Sequence, residues 1–443
     1  MNELLNINDK ITLTISSITN GGDGIGRHEG MAVFVPFTAT GEVVEVKITE
    51  VQKNYARGKV EKITEKSAAR IAAPCALYEK CNGCQLMHLD YTEQLNAKRA
   101  MVEDALRKMG RFENITVNEV IASGVQFNYR NKCEFKAKIT ETGKVELGMV
   151  DIDGNIINTP DCMLQNKAIL SIVKKIEDIS VRDFPLAQAT VKVNDADDAL
   201  LILTFWSSID KQTVKKYAEE LASALPMLRG VLYNRVRGKS LARKTFSELV
   251  WGEDFLNYKL SNISYRVSAE SFFQVNFSSA ETLLNTVLDF AGEDLSQDIV
   301  FDCYSGVGTF SLPLATRANS LIAIEDSESA VNDANSNLAQ YGIDGVKLYN
   351  NKTETILSRM SRKGRNADVV VLDPPRKGVG RIGIEELAAL DPHRIVMISC
   401  DPVTLARDLR DLSEFGYQIL KVQPIDMFPQ TTHVEAIVLL NKI

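Results

Sequence analysis

Hydrophobic and polar positions change rhythm along this 443-residue chain, and each change predicts a different kind of element. Across residues 1–66, short alternating apolar runs at 11–15, 32–35, 43–48 and 58–63 are separated by glycine turns, densest at Gly21-Gly22-Asp23-Gly24-Ile25-Gly26. A period of two broken by glycine predicts short strands that close a small all-β barrel. Residues 67–90 lose that alternation and carry Pro74 and three clustered cysteines. Residues 91–110 predict one amphipathic helix, with Leu95, Val102, Leu106 and Met109 along one side and Gly110 as its stop. Between 115 and 265, strand-like runs (199–205, 230–233) mix with helical stretches (167–175, 211–224), predicting a second, α+β domain. From 266 onward helix, buried strand and glycine turn alternate, which predicts an α/β sheet of mostly parallel strands.

Composition narrows the class. With 45% hydrophobic and 25% charged residues the chain has the balance of a folded protein. Its longest apolar runs, such as 395–398 and 436–440, fall far short of the ~20 residues a spanning helix needs, so no membrane is expected. The first ten residues hold two acids and no apolar core, so they predict no secretory signal. Seven cysteines, an odd number, then fit a reducing cytoplasm better than a disulfide scaffold. A net charge of −7 does not announce a nucleic-acid binder, and polyanion contacts would need local patches. Three segments qualify. Residues 229–244 carry Arg229, Arg235, Arg237, Lys239, Arg243 and Lys244 without an acid. The run 127–136 interleaves Phe127, Tyr129 and Phe135 with Arg130, Lys132 and Lys136, and 51–59 offers Lys53, Tyr55, Arg57 and Lys59 on the barrel. Cations with aromatics suit single-stranded RNA, although a charge run is ordinarily only a solvated face.

The candidate chemistry lies in the last third. Asp302-Cys303-Tyr304-Ser305-Gly306-Val307-Gly308 is a buried strand running into a glycine turn. It lacks the third glycine of a dinucleotide motif and fits S-adenosylmethionine better than NAD. Glu325 ends the next strand, where a carboxylate can accept from ribose hydroxyls. Asp373 is pinned by Pro374 and Pro375 at another strand end. Cys400 ends a fourth strand and is followed by Asp401-Pro402 and a helix, the position of an exposed nucleophile. Glu435 precedes the final strand, so Cys400 and Glu435 can meet over one pocket as nucleophile and base. Cys75, Cys81 and Cys84 form C-x5-C-x2-C, with Cys162 far downstream. Four thiolates can hold a 4Fe–4S cluster or structural zinc, and the spacing leaves that choice open. His88 is weighed as a further ligand and set aside, while Cys133 and Cys303 are read as structural.

Taken together, F-x-Q-x-N (Phe273, Gln274, Asn276), D-x-Y-x-G-x-G, Glu325, DPPRKG, SCDP-x-TLARD and HVE follow in order across residues 270–436 and resemble the RNA uracil-5-methyltransferase family. Ser305 departs from the cysteine that many relatives carry there. The resemblance implies a multidomain protein. Residues 1–66 would be a TRAM (OB-like) RNA-binding barrel, of the kind carried by the family's ribosomal-RNA branch. Residues 67–90 and 115–265 would be a central α+β domain, with a 4Fe–4S cluster on Cys75, Cys81, Cys84 and Cys162. Residues 91–114 and 266–443 would be a Rossmann-like S-adenosylmethionine-dependent methyltransferase domain.

The resemblance also implies roles. Gln274, Tyr304, Glu325 and Asp373 would contact S-adenosylmethionine, with Asp373 also facing the uracil. Cys400 would add to C6 of a flipped or unpaired uridine, and Glu435 would remove the C5 proton. The implied substrate is 23S ribosomal RNA, at one or two uridines, ahead of transfer RNA, and the expected species is a monomer. Because these motifs lie beyond residue 270, the barrel is expected to supply RNA affinity and no chemistry. Two rivals come from other classes. A radical S-adenosylmethionine methylthiotransferase would space its cysteines C-x3-C-x2-C and lack the separate cofactor fold. A non-catalytic RNA-binding or RNA-folding factor would have no use for Cys400 with Glu435.

Overall fold

The computed structural model describes residues 5–179, 184–238, 240–241 and 243–443. The N-terminal sheet runs Lys10–Thr14, Val43–Val51, Tyr55–Glu65, Met31–Val35, Gly24–His28, Ser17–Ile18. Its inward positions are those the alternation selects: Leu13, Val33, Val35, Val44, Val46, Ile48 and Ala56 form one buried core. Closure depends on glycine. A Cβ at Gly26 would stand 2.3 Å from Leu13 Cδ1 and 2.6 Å from the Thr14 carbonyl, so only a bare backbone lets these non-neighbouring strands meet.

A seven-stranded central sheet follows, ordered Glu248–Gly252, Leu228–Arg235, Ala199–Phe205, Leu186–Val193, Lys132–Ile139, Val145–Val150, Ile156–Asn158. Its pairs are antiparallel except Ala199–Phe205 with Leu228–Arg235. Helices Lys167–Ile179 and Lys211–Ala224 pack on Leu201 and Leu203. Leu200 and Ile202 face the opposite way, into a core shared with the hairpin Phe255–Leu260/Ile263–Ser268 and the C-terminal sheet. Ala199–Phe205 is therefore buried on both faces, which is why it reads as an unbroken apolar run.

The C-terminal sheet is ordered Lys347–Asn350, Ala318–Glu325, Leu295–Cys303, Val369–Leu372, Arg394–Ser399, Glu435–Lys442, Tyr417–Ile425. The first five strands are parallel; Glu435–Lys442 runs against them, and Tyr417–Ile425, antiparallel to Glu435–Lys442, runs with them again. From Leu295–Cys303 the chain winds outward on one side, then returns to continue on the other. That reversal opens a crevice at the carboxyl ends of Leu295–Cys303 and Val369–Leu372, where open α/β sheets hold ligands.

Helix Tyr91–Lys108, capped by Asp90, packs Val102, Ala105 and Leu106 into this sheet's core. Its buried face differs from the sequence expectation. Met109 is exposed and Leu95 only partly covered, while Gln94 and Lys98 are buried. Among the described residues, no helix is long and apolar enough to cross a membrane.

Candidate active site

Strand ends build the crevice. Cys303 pairs with Leu372, so the turn after Cys303 and the carboxylate of Asp373 lie side by side. Tyr304, Gly306 and Gly308 all take positive φ (63°, 55° and 90°). A Cβ at Gly306 would meet nothing within 4 Å, so its backbone faces open space. Glu325 accepts from the Gly306 amide at 2.9 Å and the Ser327 amide at 2.8 Å. Both its oxygens are thus already engaged in shaping the turn, and only their remaining lone pairs are left for a ribose. Asp302 is fully buried; one oxygen accepts from Ser311 Oγ, while its other oxygen and the Ser305 hydroxyl have no partner. Burial pushes the Asp302 carboxyl up to about 7, against the Ser311 hydrogen bond. Two unpartnered buried polar atoms beside a glycine turn suit a polar ligand such as S-adenosylmethionine. Gln274 stands apart on another segment, between the hairpin and helix Phe277–Ala291; its carbonyl accepts from Asn131.

One part of that motif needs correction. The F-x-Q-x-N spacing belongs to Phe272, which is 59% exposed, whereas Phe273 packs in the core against Tyr258 and Tyr265. Counting back from Gln274 would have found it.

Cys400 and Glu435, expected as nucleophile and base, meet through register. In the antiparallel pair, Ser399 lies opposite Ala436, so the next positions out, Cys400 and Glu435, face one another across the sheet edge. Asp401 holds Cys400 at a sharp strand-to-helix turn by capping Pro402–Ser413 through the Val403 and Thr404 amides. Burial pushes the Cys400 thiol up to about 11; Glu435 and Asp373 add to this, and the Arg376 guanidinium opposes it. Glu435 is buried and pushed up to about 8, by burial first and the Asp373 carboxylate second, again with Arg376 opposing. Burial takes Asp373 to about 7. Arg376 stands 3.4 Å from His433, whose imidazole is pushed down to about 4 by burial and by that cation. A pocket of about 90 Å³ opens on Cys400 between Arg376, Thr432, His433 and, from the N-terminal barrel, Asn20.

Sequence reasoning missed what holds the 426–434 loop that leads into Glu435. Lys98 and Asp426 form an ion pair with both side chains fully buried, 2.5 Å apart, and Lys98 also donates to the Phe428 carbonyl. Tyr91 donates to Asp426, Gln94 exchanges hydrogen bonds with Gln430, Tyr129 donates to the Pro429 carbonyl and Asn276 to that of Met427. Lys98 and Gln94 are four residues apart on one helix face, a polar spacing that could have been noticed.

The four cysteines form a separate patch. Cys75, Cys84 and Cys162 pack with Tyr78 and Phe127 against Met87, Tyr129 and Leu164. Burial raises the Cys84 thiol; Cys162, Cys81 and Cys75 raise it further, with Arg130 opposing. Cys81 is raised by burial and by Cys162 and Cys75, the Gly83 amide opposing. All four are free thiols. Among the described residues, no three His, Cys, Asp or Glu side chains stand grouped to hold a single metal ion. His88 uses one ring nitrogen on Tyr78 and the other on the Thr38 carbonyl, which accounts for it without a metal. Cys133 and Cys303 are buried.

The basic segments fare unevenly. In 127–136, Tyr129 and Phe135 are buried and offer no stacking surface, and Phe127 packs half-buried on the cysteine patch. Arg57 pairs with Asp23 at 2.8 Å, tying the barrel's glycine turn, while Lys53 and Lys59 are exposed. Arg229 pairs with Asp198. Arg237 and Arg243 are exposed, and Lys239 lies outside the described residues. Beside Arg235 the structure adds two aromatics the sequence reading overlooked, Trp206 and the 85% exposed Phe246.

Comparison with known proteins gives the lineage. The profile of the family described as tRNA (Uracil-5-)-methyltransferase matches residues 90–443, and that of the TRAM domain matches residues 5–60. A protein of Clostridium tetani named uncharacterized RNA methyltransferase is 36% identical over 98% of this chain and 96% of its own. One of the same description from Halalkalibacterium halodurans is 30% identical over 99% and 98%. In structure, the chain resembles the Pyrococcus abyssi tRNA (uracil-54, C5)-methyltransferase in complex with S-adenosyl-L-homocysteine, with a TM-score of 0.74, 24% identity, and coverage of 97% of this chain and all of that one. With a TRAM domain at its N-terminus and a methyltransferase fold at its C-terminus, the chain belongs to the S-adenosylmethionine-dependent RNA uracil-5-methyltransferase family.

Proposed function

We propose that this enzyme methylates C5 of uridine in 23S ribosomal RNA through a covalent bond between Cys400 and C6 of the base. The observation that carries the chemistry is the Ser399–Ala436 register, which sets Cys400 against Glu435 with Arg376 and Asp373 beside them. C5 of uracil is a poor nucleophile. As the thiolate, Cys400 bonds C6, and the C5=C6 electron pair becomes available at C5. S-adenosylmethionine, when bound, would supply the methyl group that C5 takes, its S–CH3 bond breaking to leave S-adenosylhomocysteine. Glu435 then accepts the C5 proton, the C5=C6 bond reforms and the bond to sulfur breaks. Arg376, the nearby cation, favours both the thiolate and the carboxylate that these steps need. Tyr304, Glu325, Asp373 and Gln274 are the groups we assign to hold S-adenosylmethionine at the crevice.

Cys75, Cys81, Cys84 and Cys162 suit a 4Fe–4S cluster: thiols from two distant segments raise one another's proton affinity, and a bound cationic cluster would relieve that. Such a cluster would tie residues 75–84 to residue 162; it enters no catalytic step here.

The TRAM domain and the four thiols incline the substrate to 23S RNA. The Pyrococcus tRNA enzyme aligns over its whole length, barrel included, so transfer RNA is the competing substrate. Incubating the protein and S-adenosylmethionine with unmodified 23S and transfer-RNA transcripts, followed by nucleoside analysis, decides. We expect 5-methyluridine in the 23S transcript. Methylation of transfer RNA alone would overturn the substrate, and methylation of neither at uridine C5 would overturn the reaction.

A further inference from the structure

The sequence leads one to expect RNA affinity and no chemistry from the barrel, yet one of its residues lines the Cys400 pocket. Asn20, at the tip of the turn between Ser17–Ile18 and Gly24–His28, shares that pocket with Cys400, Arg376 and His433. The turn is held from three sides. Within it, the Thr19 amide donates to the Asp23 carbonyl and the Gly22 amide to the Thr19 carbonyl. From the barrel wall, Arg57 grips Asp23 at 2.8 Å. Toward the catalytic domain, Gly22 packs so closely that an added Cβ would stand 2.6 Å from Gln85 Cβ and 3.0 Å from Thr432 Cγ2, and Gly22 has a φ of 91°. Gln85 and Leu86 in turn donate to the Gln430 carbonyl, in the loop that leads to Glu435. Beneath the turn, Ile18 and Ala39 of the barrel share a buried cluster with Leu86, Leu89, Ala97 and Met101.

A turn fixed to both the barrel and the 430–434 loop places its exposed tip with little freedom. Asn20 is that tip, and its carboxamide offers two donors and an acceptor without charge. We infer that Asn20 contacts the target nucleotide in the Cys400 pocket and holds it for attack, so that the N-terminal barrel completes the active site as well as binding RNA. This rests on the covalent reading of Cys400 given above.

Adduct formation with RNA carrying 5-fluorouridine at the target position separates the two ideas, because fluorine at C5 cannot leave as a proton and the complex is trapped. The full-length protein is used, with S-adenosylmethionine binding as the check that a variant is folded. At saturating RNA, Asn20→Ala should form the adduct at least tenfold more slowly than wild type, with RNA affinity within about twofold and S-adenosylmethionine binding intact. Asn20→Asp keeps the size but replaces the donors with a negative charge beside RNA, and should be slowed at least as much. Wild-type rates in both variants, or a loss confined to RNA affinity, would overturn the role of Asn20. Absence of any adduct with the wild-type protein would instead overturn the covalent reading.

Discussion

Two groups of cysteines in this molecule begin from the same physical condition and diverge through their neighbours. Burial is the largest influence on both Cys400 and Cys84, and it raises both thiols. Around Cys84 the next influences are three other thiols, so removing one proton makes the next harder to remove. A patch of that kind is relieved by a bound cation shared among all its members. Around Cys400 the neighbours are carboxylates, Glu435 and Asp373, with Arg376 working the other way. That set has one sulfur, one base and one cation, an arrangement for moving protons at a single reacting atom. On the reading proposed above, what its neighbours do with its proton is what makes Cys84 a ligand and Cys400 a nucleophile.

The division can be broken from either side. Cys400→Ala should abolish RNA methylation, by roughly 10⁴-fold or more, while leaving the iron content of the purified protein unchanged. Loss of iron in that variant would mean the two groups are not independent. Glu435→Gln should cut turnover by about 10²- to 10⁴-fold and accumulate a denaturation-resistant protein–RNA adduct that already carries the methyl group.

The same substitution has a signature in stability. Glu435 is raised from 4.5 to about 8 in the folded chain, so its protonated form favours folding. Its contribution is complete below pH 4.5 and disappears as the pH rises to about 8. Wild type should therefore lose stability relative to Glu435→Gln across that window, at up to about 1.4 kcal/mol per pH unit. Denaturant melts at pH 5, 6, 7 and 8 would measure it, and parallel curves would contradict the burial of this acid.

Cys81→Ser addresses the other group. It should remove visible absorption and iron from anaerobically purified protein and lower the melting temperature by several degrees, with S-adenosylmethionine binding retained. Zinc without iron in the wild-type protein would refute the cluster. The smallest effect is expected from Arg376→Gln. Arg376 lowers both Cys400 and Glu435, and activity needs each to lose its proton. The rising limb of the pH–rate profile should thus move to higher pH by about one unit, roughly the effect of one partly solvated charge. A shift toward lower pH would reverse the role given to Arg376.

Much of this organisation is legible in the sequence because its signals are local. Buried runs such as 369–372 and 394–399, each closed by a turn, place Asp373 and Cys400 at strand ends without reference to the rest of the chain. The alternation in residues 1–66 likewise needs only its own neighbours to mark the barrel core. What escaped depends on partners hundreds of positions away. Lys98 is buried because Asp426 answers it, and its spacing with Gln94 marks a shared polar face without showing that the face is buried. Asn20 looks like any polar turn residue until the barrel is docked on Gln85 and Thr432. The aromatics of 127–136 misled for a related reason: only Phe135 lies on a strand, on its dry face, while Phe127 and Tyr129 precede the strand and pack in the cysteine patch.

The central claim is that Cys400 becomes bonded to the target base. The direct measurement is mass spectrometry of the proteolysed complex formed between wild-type protein and 5-fluorouridine RNA in the presence of S-adenosylmethionine. The account predicts a nucleotide carrying both fluorine and the transferred methyl group, attached to the peptide containing Cys400. Attachment at Cys133 or Cys303, or complete methylation of ordinary RNA by a protein that never forms such a peptide, would contradict it.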